Sequence, residues 1–209
     1  MGNDQTVTTA ARVSTGSTKS DKHRDMKLIN FLIQNNHMSP FEHVVFTFYV
    51  KAPLFVARQW FRHRIASYNE ASARYKVIKD EFYIPQNIRI NDSKDKQKAN
   101  LTNDPQLLKE LQQLTQEHYK QTYELYQKIL DKGIARELAR TVLPMGMYTE
   151  FFWTVNLRSL FNFFNLRADS HAQWEIQQYA LKIFNLIKDI VPLSLDAFLQ
   201  FQYTGDLLK

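Results

Sequence analysis

Apolar residues recur along this chain in two rhythms, and the changes from one to the other outline its elements. Between Asp25 and Asn36, the residues Met26, Ile29, Phe31 and Leu32 fall at near-helical spacing, and Asn35-Asn36 ahead of Ser39-Pro40 ends the run, which predicts one short helix. From Glu42 to Lys51 the chain turns β-branched and aromatic. Val44, Val45, Phe46, Thr47, Phe48, Tyr49 and Val50 leave both faces largely apolar, the pattern of a buried strand. Pro53 then opens a helix through about His63, because its ring pre-sets φ and its missing N–H costs nothing in a first turn. Ser67 to Tyr75 alternates small and polar groups, and a second extended run, Glu81 to Ile84, stops at Pro85.

Two stretches lack such a rhythm. Residues 1–22 are rich in Thr, Ser and Lys and read as a floppy leader, apart from Ala10-Ala11-Arg12-Val13-Ser14; Asn87 to Asn103 is polar and charged and reads as a mobile loop. Beyond it, Leu107, Leu111, Leu114, His118, Leu125 and Ile129 mark a long amphipathic helix from Asp104 to about Lys132, which Gly133 ends. A shorter helix, Ala135 to Leu143, stops at Pro144, and Thr149 to Val155 is strand-like. Leu157 to Leu166 is helical, as is Gln173 to Ile190, with Ser170 and Gln173 as its capping box. Long helices among a few non-adjacent strands predict an α+β fold: a small mixed or antiparallel sheet packed with long helices, in a single domain over 1–209.

Composition narrows the function classes. At 209 residues and 44% hydrophobic, the chain can bury roughly 70% of its unfolded surface without a staple. It has no Cys, which removes disulfides, Cys-rich zinc sites and thiolate nucleophiles and suits a cytoplasmic location. No apolar run approaches the roughly 18 residues of a membrane span, and Met1-Gly2-Asn3-Asp4-Gln5 is too polar to open a signal peptide, so no membrane role is expected. The five Gly (2, 16, 133, 146 and 205) stand apart, so neither a G-x-G-x-x-G turn nor a P-loop can be written. A nucleotide here would have to be held by side chains and helix ends. The six His contain no H-E-x-x-H or H-x-x-x-H pair, and no metal is expected. A net charge of +6 suits anionic small molecules and nucleic acid alike.

The chemistry concentrates between Gln59 and Tyr75. Gln59 and Arg62 lie three apart on one helix face, and if residues 70–75 are extended, Glu70, Ser72 and Arg74 share a side. Helix end and strand would then deliver Gln59, Arg62, His63, Arg64, Ser72 and Arg74 to one place. Guanidiniums and small donors of this kind suit a phosphate or a uracil-like ring; a solvated basic surface accounts for them as well. Ser72 has no His or Lys placed beside it by local spacing, so ligand binding suits it better than nucleophilic attack. Downstream, Arg158, Asn162 and Asn165 form a polar stripe on an otherwise apolar helix, either a binding face or simply an exposed one.

The run R-H-R-x-x-S-x-N-E-x-S-x-R-Y is filled at every position from Arg62 to Tyr75, and it resembles the signature of the flavin-dependent thymidylate synthases. Ala10 to Ser14, His37 to His43, Arg140 to Pro144, Asn156 to Ser159 and Asn165 to Asp169 agree with it, so the resemblance runs the length of the chain. It departs in one respect: the family's usual strand-forming segment before M-G-x-D is missing ahead of Met1.

The resemblance implies that family's fold and its reaction, reductive methylation of dUMP to dTMP with carbon from 5,10-methylenetetrahydrofolate and hydride from NADPH through FAD. The lack of Cys agrees, since an ordinary thymidylate synthase attacks the uracil with a thiolate. By the same resemblance Gln59, Arg62, Glu70, Ser72, Arg74, Arg140 and Arg167 match dUMP contacts, and Arg167 matches the catalytic group that stabilises charge on the uracil. Without the resemblance, Arg167 reads as a helix C-terminal Arg capping carbonyls. Ser39, Arg62, His63, Arg64, Glu70, Asn156, Arg158 and Asn162 match FAD contacts; His37 matches a neighbour of flavin and folate, or serves as a loop hydrogen-bonder. The family's homotetramers share sites between subunits, and the same is expected here.

Two other classes compete. A nucleic-acid-binding module would use the charge, the Arg cluster and the 3 Trp, 10 Tyr and 15 Phe, and would bind with steep salt dependence. A nucleotide hydrolase would need a carboxylate cluster for Mg²⁺, which Glu70 among arginines does not provide.

Overall fold

The computed structural model describes residues 1–14, 16, 21–93 and 99–209. In chain order the elements are α1 (Asp4–Arg12), α2 (Lys22–Gln34), β1 (Val45–Pro53), α3 (Leu54–Trp60), β2 (Ser67–Glu70), β3 (Ile88–Asn91), β4 (Ala99–Thr102), α4 (Pro105–Asp131), α5 (Arg136–Ala139), β5 (Tyr148–Asn156), α6 (Leu157–Arg167), α7 (Trp174–Ile187) and α8 (Pro192–Phe201). Two 3-10 turns, Ser39–His43 and Arg140–Val142, complete the set. One sheet has the order β1-β5-β2, the other pairs β3 with β4, and the α+β class holds. Thr47 bonds Thr154 at 2.9 Å while Tyr49 meets Phe152 at 5.2 Å, so partner numbers fall as strand numbers rise and β1 and β5 run antiparallel. Among the described residues no helix is long and apolar enough to cross a membrane.

Residues group into two compact units, to each of which β1 and β5 contribute. The first holds Met1–Phe48, His63–Ser67 and Trp153–Lys209. Its centre is α6, where Leu157, Leu160, Phe161, Phe163 and Phe164 are buried on one wide face while Arg158, Asn162 and Leu166 stay exposed. Phe161 stacks flat on Phe198 of α8 at 4.4 Å, and Phe164 meets Phe184 of α7 edge-on at 5.6 Å. Phe163 lies 5.0 Å from Trp153. Each buried Phe contributes about 2–3 kcal/mol by area, as an upper estimate.

The second unit holds Tyr49–Arg62 and Tyr68–Phe152. Here Tyr119, Tyr123 and Tyr126 follow one face of α4 and grip the segment after the signature. Tyr126 Oη accepts from the Ile78 N–H at 3.1 Å, Tyr123 Oη donates to the Ile78 carbonyl at 3.0 Å, and Tyr119 stacks on Phe82 at 4.7 Å. Gly146 leaves the room that the Tyr119 ring occupies, since a Cβ there would collide with the phenol.

The structure corrects several expectations. Within the leader, residues 4–12 are helical because Asn3 accepts from the Gln5 and Thr6 amides while Thr6 Oγ1 accepts from Asn3, a capping box closed by Thr. Residues 15 and 17–20 of that leader lie outside the described residues. β1 is half-buried, with Phe46, Val50 and Ala52 inside and Thr47, Tyr49 and Lys51 exposed. α3 stops at Trp60, whose carbonyl accepts from Tyr68 Oη at 3.2 Å. β2 ends at Glu70; the amides of Tyr75 and Lys76 both fold back to the Ser72 carbonyl, so residues 70, 72 and 74 share no strand face. Part of the expected mobile loop is an antiparallel pair, Ile88 opposite Thr102 through Asn91 opposite Ala99, while 94–98 lie outside the described residues. The capping box before α7 does not form, because the Ser170 amide donates to Asp206 at 2.8 Å and Gln173 gives no side-chain cap. α8 was not expected at all; its apolar residues follow α7 too closely for periodicity to separate the two.

The start of α8 is secured from the other end of the chain. Asp4 accepts from the amides of Leu193 at 2.8 Å and Ser194 at 3.0 Å and from Ser194 Oγ at 2.5 Å, satisfying the first turn of a helix opened by Pro192. Burial pushes the Asp4 carboxyl up. Asp4→Ala should therefore lower stability by about 1–2 kcal/mol in urea denaturation at pH 7. Asp4→Asn, which keeps an acceptor without a buried charge, should lose clearly less. Equal losses would mean that the cap contributes nothing specific.

Candidate functional site

In the second unit a cleft of about 540 Å³ forms where β2 ends, well within the size of ligand pockets. Glu70 comes from the end of β2, Ser72 from the turn that follows, Arg140 from the 3-10 turn after α5, and Thr149 from β5. The Ala71 amide bonds the Glu150 carbonyl at 2.8 Å, which fixes β2 against β5 and lets Thr149 Oγ1 donate to Glu70 Oε1 at 2.6 Å. One wall carries Lys51, paired with Glu81 at 2.5 Å; this bond holds the Glu81 carboxyl below the usual range. Cations, a hydroxyl and an oriented carboxylate thus converge on one hollow, a set suited to an anionic ligand with donors of its own.

The remaining residues expected there are placed differently. Arg74 donates through Nε to Glu137 at 2.9 Å, a half-exposed pair. Gln59 is half-buried in the last turn of α3, and Arg62 is exposed just beyond it. Neither these two nor Arg74 lines the cleft.

The first unit carries the other set. Arg167, the last residue of α6, donates through Nε to His63 Nε2 at 2.9 Å, so it does not serve as a carbonyl cap through that nitrogen. His63 packs against Phe163 at 4.9 Å. Burial, and then the charge of Arg167, pushes the His63 pKa down to about 4, so the ring is neutral at pH 7. Asn156 caps α6, its Oδ1 accepting from the Ser159 amide at 2.8 Å. Arg158 pairs with Glu42 at 2.5 Å, and Asn162 is exposed one turn further on. The polar stripe therefore divides: Asn165 is spent on the chain end, its Oδ1 accepting from the Thr204 amide at 3.0 Å. Ser39 opens its 3-10 turn and Arg64 is exposed; exposed His37 meets Phe31 edge-on at 5.8 Å. Guanidiniums, an amide and a hydroxyl are donor types that suit a diphosphate-bearing cofactor held without a Gly-rich loop.

Sequence reasoning missed Thr149 and Lys51 as cleft residues. A signal for Thr149 was present: along β5 the buried positions are Thr149, Phe151, Trp153 and Val155, and a hydroxyl in that register needs a partner. Lys51 carried none, since an exposed strand lysine is ordinary.

Three comparisons bear on this arrangement. A family profile described as thymidylate synthase complementing protein matches residues 1–193. A flavin-dependent thymidylate synthase of Thermosipho africanus is 56% identical over all 209 residues, covering 92% of the relative. That of Thermotoga neapolitana is 48% identical, again over the whole chain and 92% of the relative. Among solved structures, a UMP/dUMP methylase, PolB from Streptomyces cacaoi bound with 5-Br dUMP, superposes with a TM-score of 0.90 at 33% identity, covering 98% of this chain and 94% of that one.

The neutral His63 makes a pH prediction. Its folded pKa of about 4 lies below the unfolded value near 6.5, so between these limits the unfolded chain binds a proton that the folded chain does not. Its contribution is complete above pH 6.5 and is lost as pH falls towards 4. In urea titrations across that window, His63→Gln should flatten the acid-side decline by up to about one proton. An unchanged slope would mean that His63 titrates normally in the fold.

Proposed function

This chain belongs to the flavin-dependent thymidylate synthases, a family of methyl-transferring enzymes, and from that premise we propose that it converts dUMP to dTMP with 5,10-methylenetetrahydrofolate, NADPH and FAD. The balance is dUMP, methylenetetrahydrofolate, NADPH and a proton to dTMP, tetrahydrofolate and NADP⁺. The observation that carries the reading is the cleft in which Glu70 and Ser72 meet Arg140 from a stretch of chain about seventy residues away. Its supports are the dUMP analogue held by the PolB methylase and the flavin named for the Thermosipho and Thermotoga relatives.

Roles follow from the donor types. Arg140 and Ser72 bind the phosphate, and Glu70, held by Thr149, accepts from a ligand N–H or hydroxyl. Gln59, Arg62 and Arg74 complete the nucleotide site from outside the cleft of the single chain, and Arg167 donates to the O2 carbonyl of the uracil, opposing the negative charge that grows on the ring during reaction. Ser39, Arg62, His63, Arg64, Glu70, Asn156, Arg158 and Asn162 hold FAD, with His37 beside it. FAD, once reduced, supplies the hydride, so no thiolate is required of a chain without Cys. The protein binds, orients and excludes water. It works in the cytoplasm as a homotetramer whose sites combine residues of different subunits.

Anaerobic turnover should yield dTMP by chromatography only when FAD and NADPH are both supplied. Arg167→Ala should cut kcat by about 10²–10³, as for loss of one charge-stabilising donor. If sites are shared, exchanging subunits between inactive Arg62→Ala and Arg167→Ala proteins should restore part of the activity. Demonstrated mixed tetramers without recovery would count against sharing, and dTMP formed without flavin would sink the assignment.

A further inference from the structure

Phe163 and Arg167 lie one turn apart on α6 and present a ring and a guanidinium to the same imidazole. That seat for His63 is built entirely within the first unit, from residues about a hundred positions apart in sequence. We propose that His63 is a positioning residue for Arg167: by accepting from Nε at 2.9 Å while packed on Phe163, it fixes the plane in which the guanidinium donates to the substrate's base. The inference rests on the functional reading above for the identity of the substrate.

The chemistry is specific about the proton. A guanidinium has donors and no acceptor, so the imidazole must receive at Nε2 and carry its hydrogen on Nδ1. Burial and the adjacent Arg167 charge both oppose a second proton, which would replace the acceptor with a second cation at hydrogen-bond distance. An Arg side chain has several rotatable bonds and a planar fork, and a bond at Nε removes rotation about the last of them. Because the imidazole is neutral, this bond itself takes none of the charge of Arg167.

The test uses the full-length chain in three forms: wild type, His63→Gln and His63→Leu. Gln offers an acceptor oxygen near the place of Nε2, whereas Leu fills the space without one. Long-range ¹H–¹⁵N spectra of the ligand-free protein should show the His63 Nδ1–H tautomer, unprotonated down to about pH 5, and Arg167→Ala should move the titration up towards the ordinary value near 6.5. In dUMP calorimetry His63→Gln should stay within about 3-fold of wild type while His63→Leu weakens by about 10-fold or more. An Nε2–H tautomer, or Leu binding dUMP as well as Gln, would overturn the positioning role. Failure of the wild type to bind dUMP would overturn the functional reading instead, and the ring spectrum would still decide whether His63 holds Arg167.

Discussion

Burial of the wide apolar face of α6 is the constraint from which the first unit follows. A helix that buries Leu157, Leu160, Phe161, Phe163 and Phe164 on one wide face places the elements packed on it by its rings. The flat stack of Phe161 on Phe198 fixes α8, the edge contact of Phe164 fixes α7, and Phe163 receives both Trp153 and His63. Asn156 at one end and Arg167 at the other inherit that rigidity. Side chains that must meet a planar ligand within a few tenths of an ångström are better carried by such a helix than by a loop.

The second unit obtains the same precision from a strand. β5 alternates strictly, and its buried register ends in Thr149, where Phe151 is two residues on and Val155 six. The hydroxyl there is satisfied by a neighbour on β2, Glu70. The hydrogen bond restrains one oxygen of an otherwise exposed carboxylate and so decides how Glu70 enters the cleft. α4 contributes from the other direction. By holding both backbone groups of Ile78 with Tyr123 and Tyr126, it keeps the segment after the signature from collapsing over the hollow.

Much of this was legible in the sequence, for reasons that differ by element. Periodicity located α2, α4, α6 and α7 and the strand β5, because each has a buried face that only one rhythm can fill. It failed for α1, whose helix depends on a Thr-closed cap and on Asp4 reaching α8, and for the β3 and β4 pair, too short and polar to show alternation. The signature told which residues carry chemistry without telling how they lie. Reading 70–75 as extended put Arg74 beside Ser72, whereas a turn closed on the Ser72 carbonyl sends Arg74 to Glu137. The bond between His63 and Arg167 had no local signal, since nothing within four residues of either one predicts a partner so distant in the chain.

That bond also separates Arg167 from two other arginines of the candidate site. Arg74 and Arg158 are paired with carboxylates, Glu137 and Glu42, and each pair presents almost no net charge to a ligand. Arg167 is anchored on a neutral imidazole and loses none of its charge to its anchor. At an effective dielectric constant of 20, two unit charges 4 Å apart interact by about 4 kcal/mol, so the difference is large on the scale of catalysis. A carboxylate in place of His63 would hold the guanidinium in the same plane while cancelling the field it was placed there to supply. A second cation would preserve the field and lose the anchor. Of the side chains available, a buried imidazole with its proton on Nδ1 is the one that orients an arginine without neutralising it.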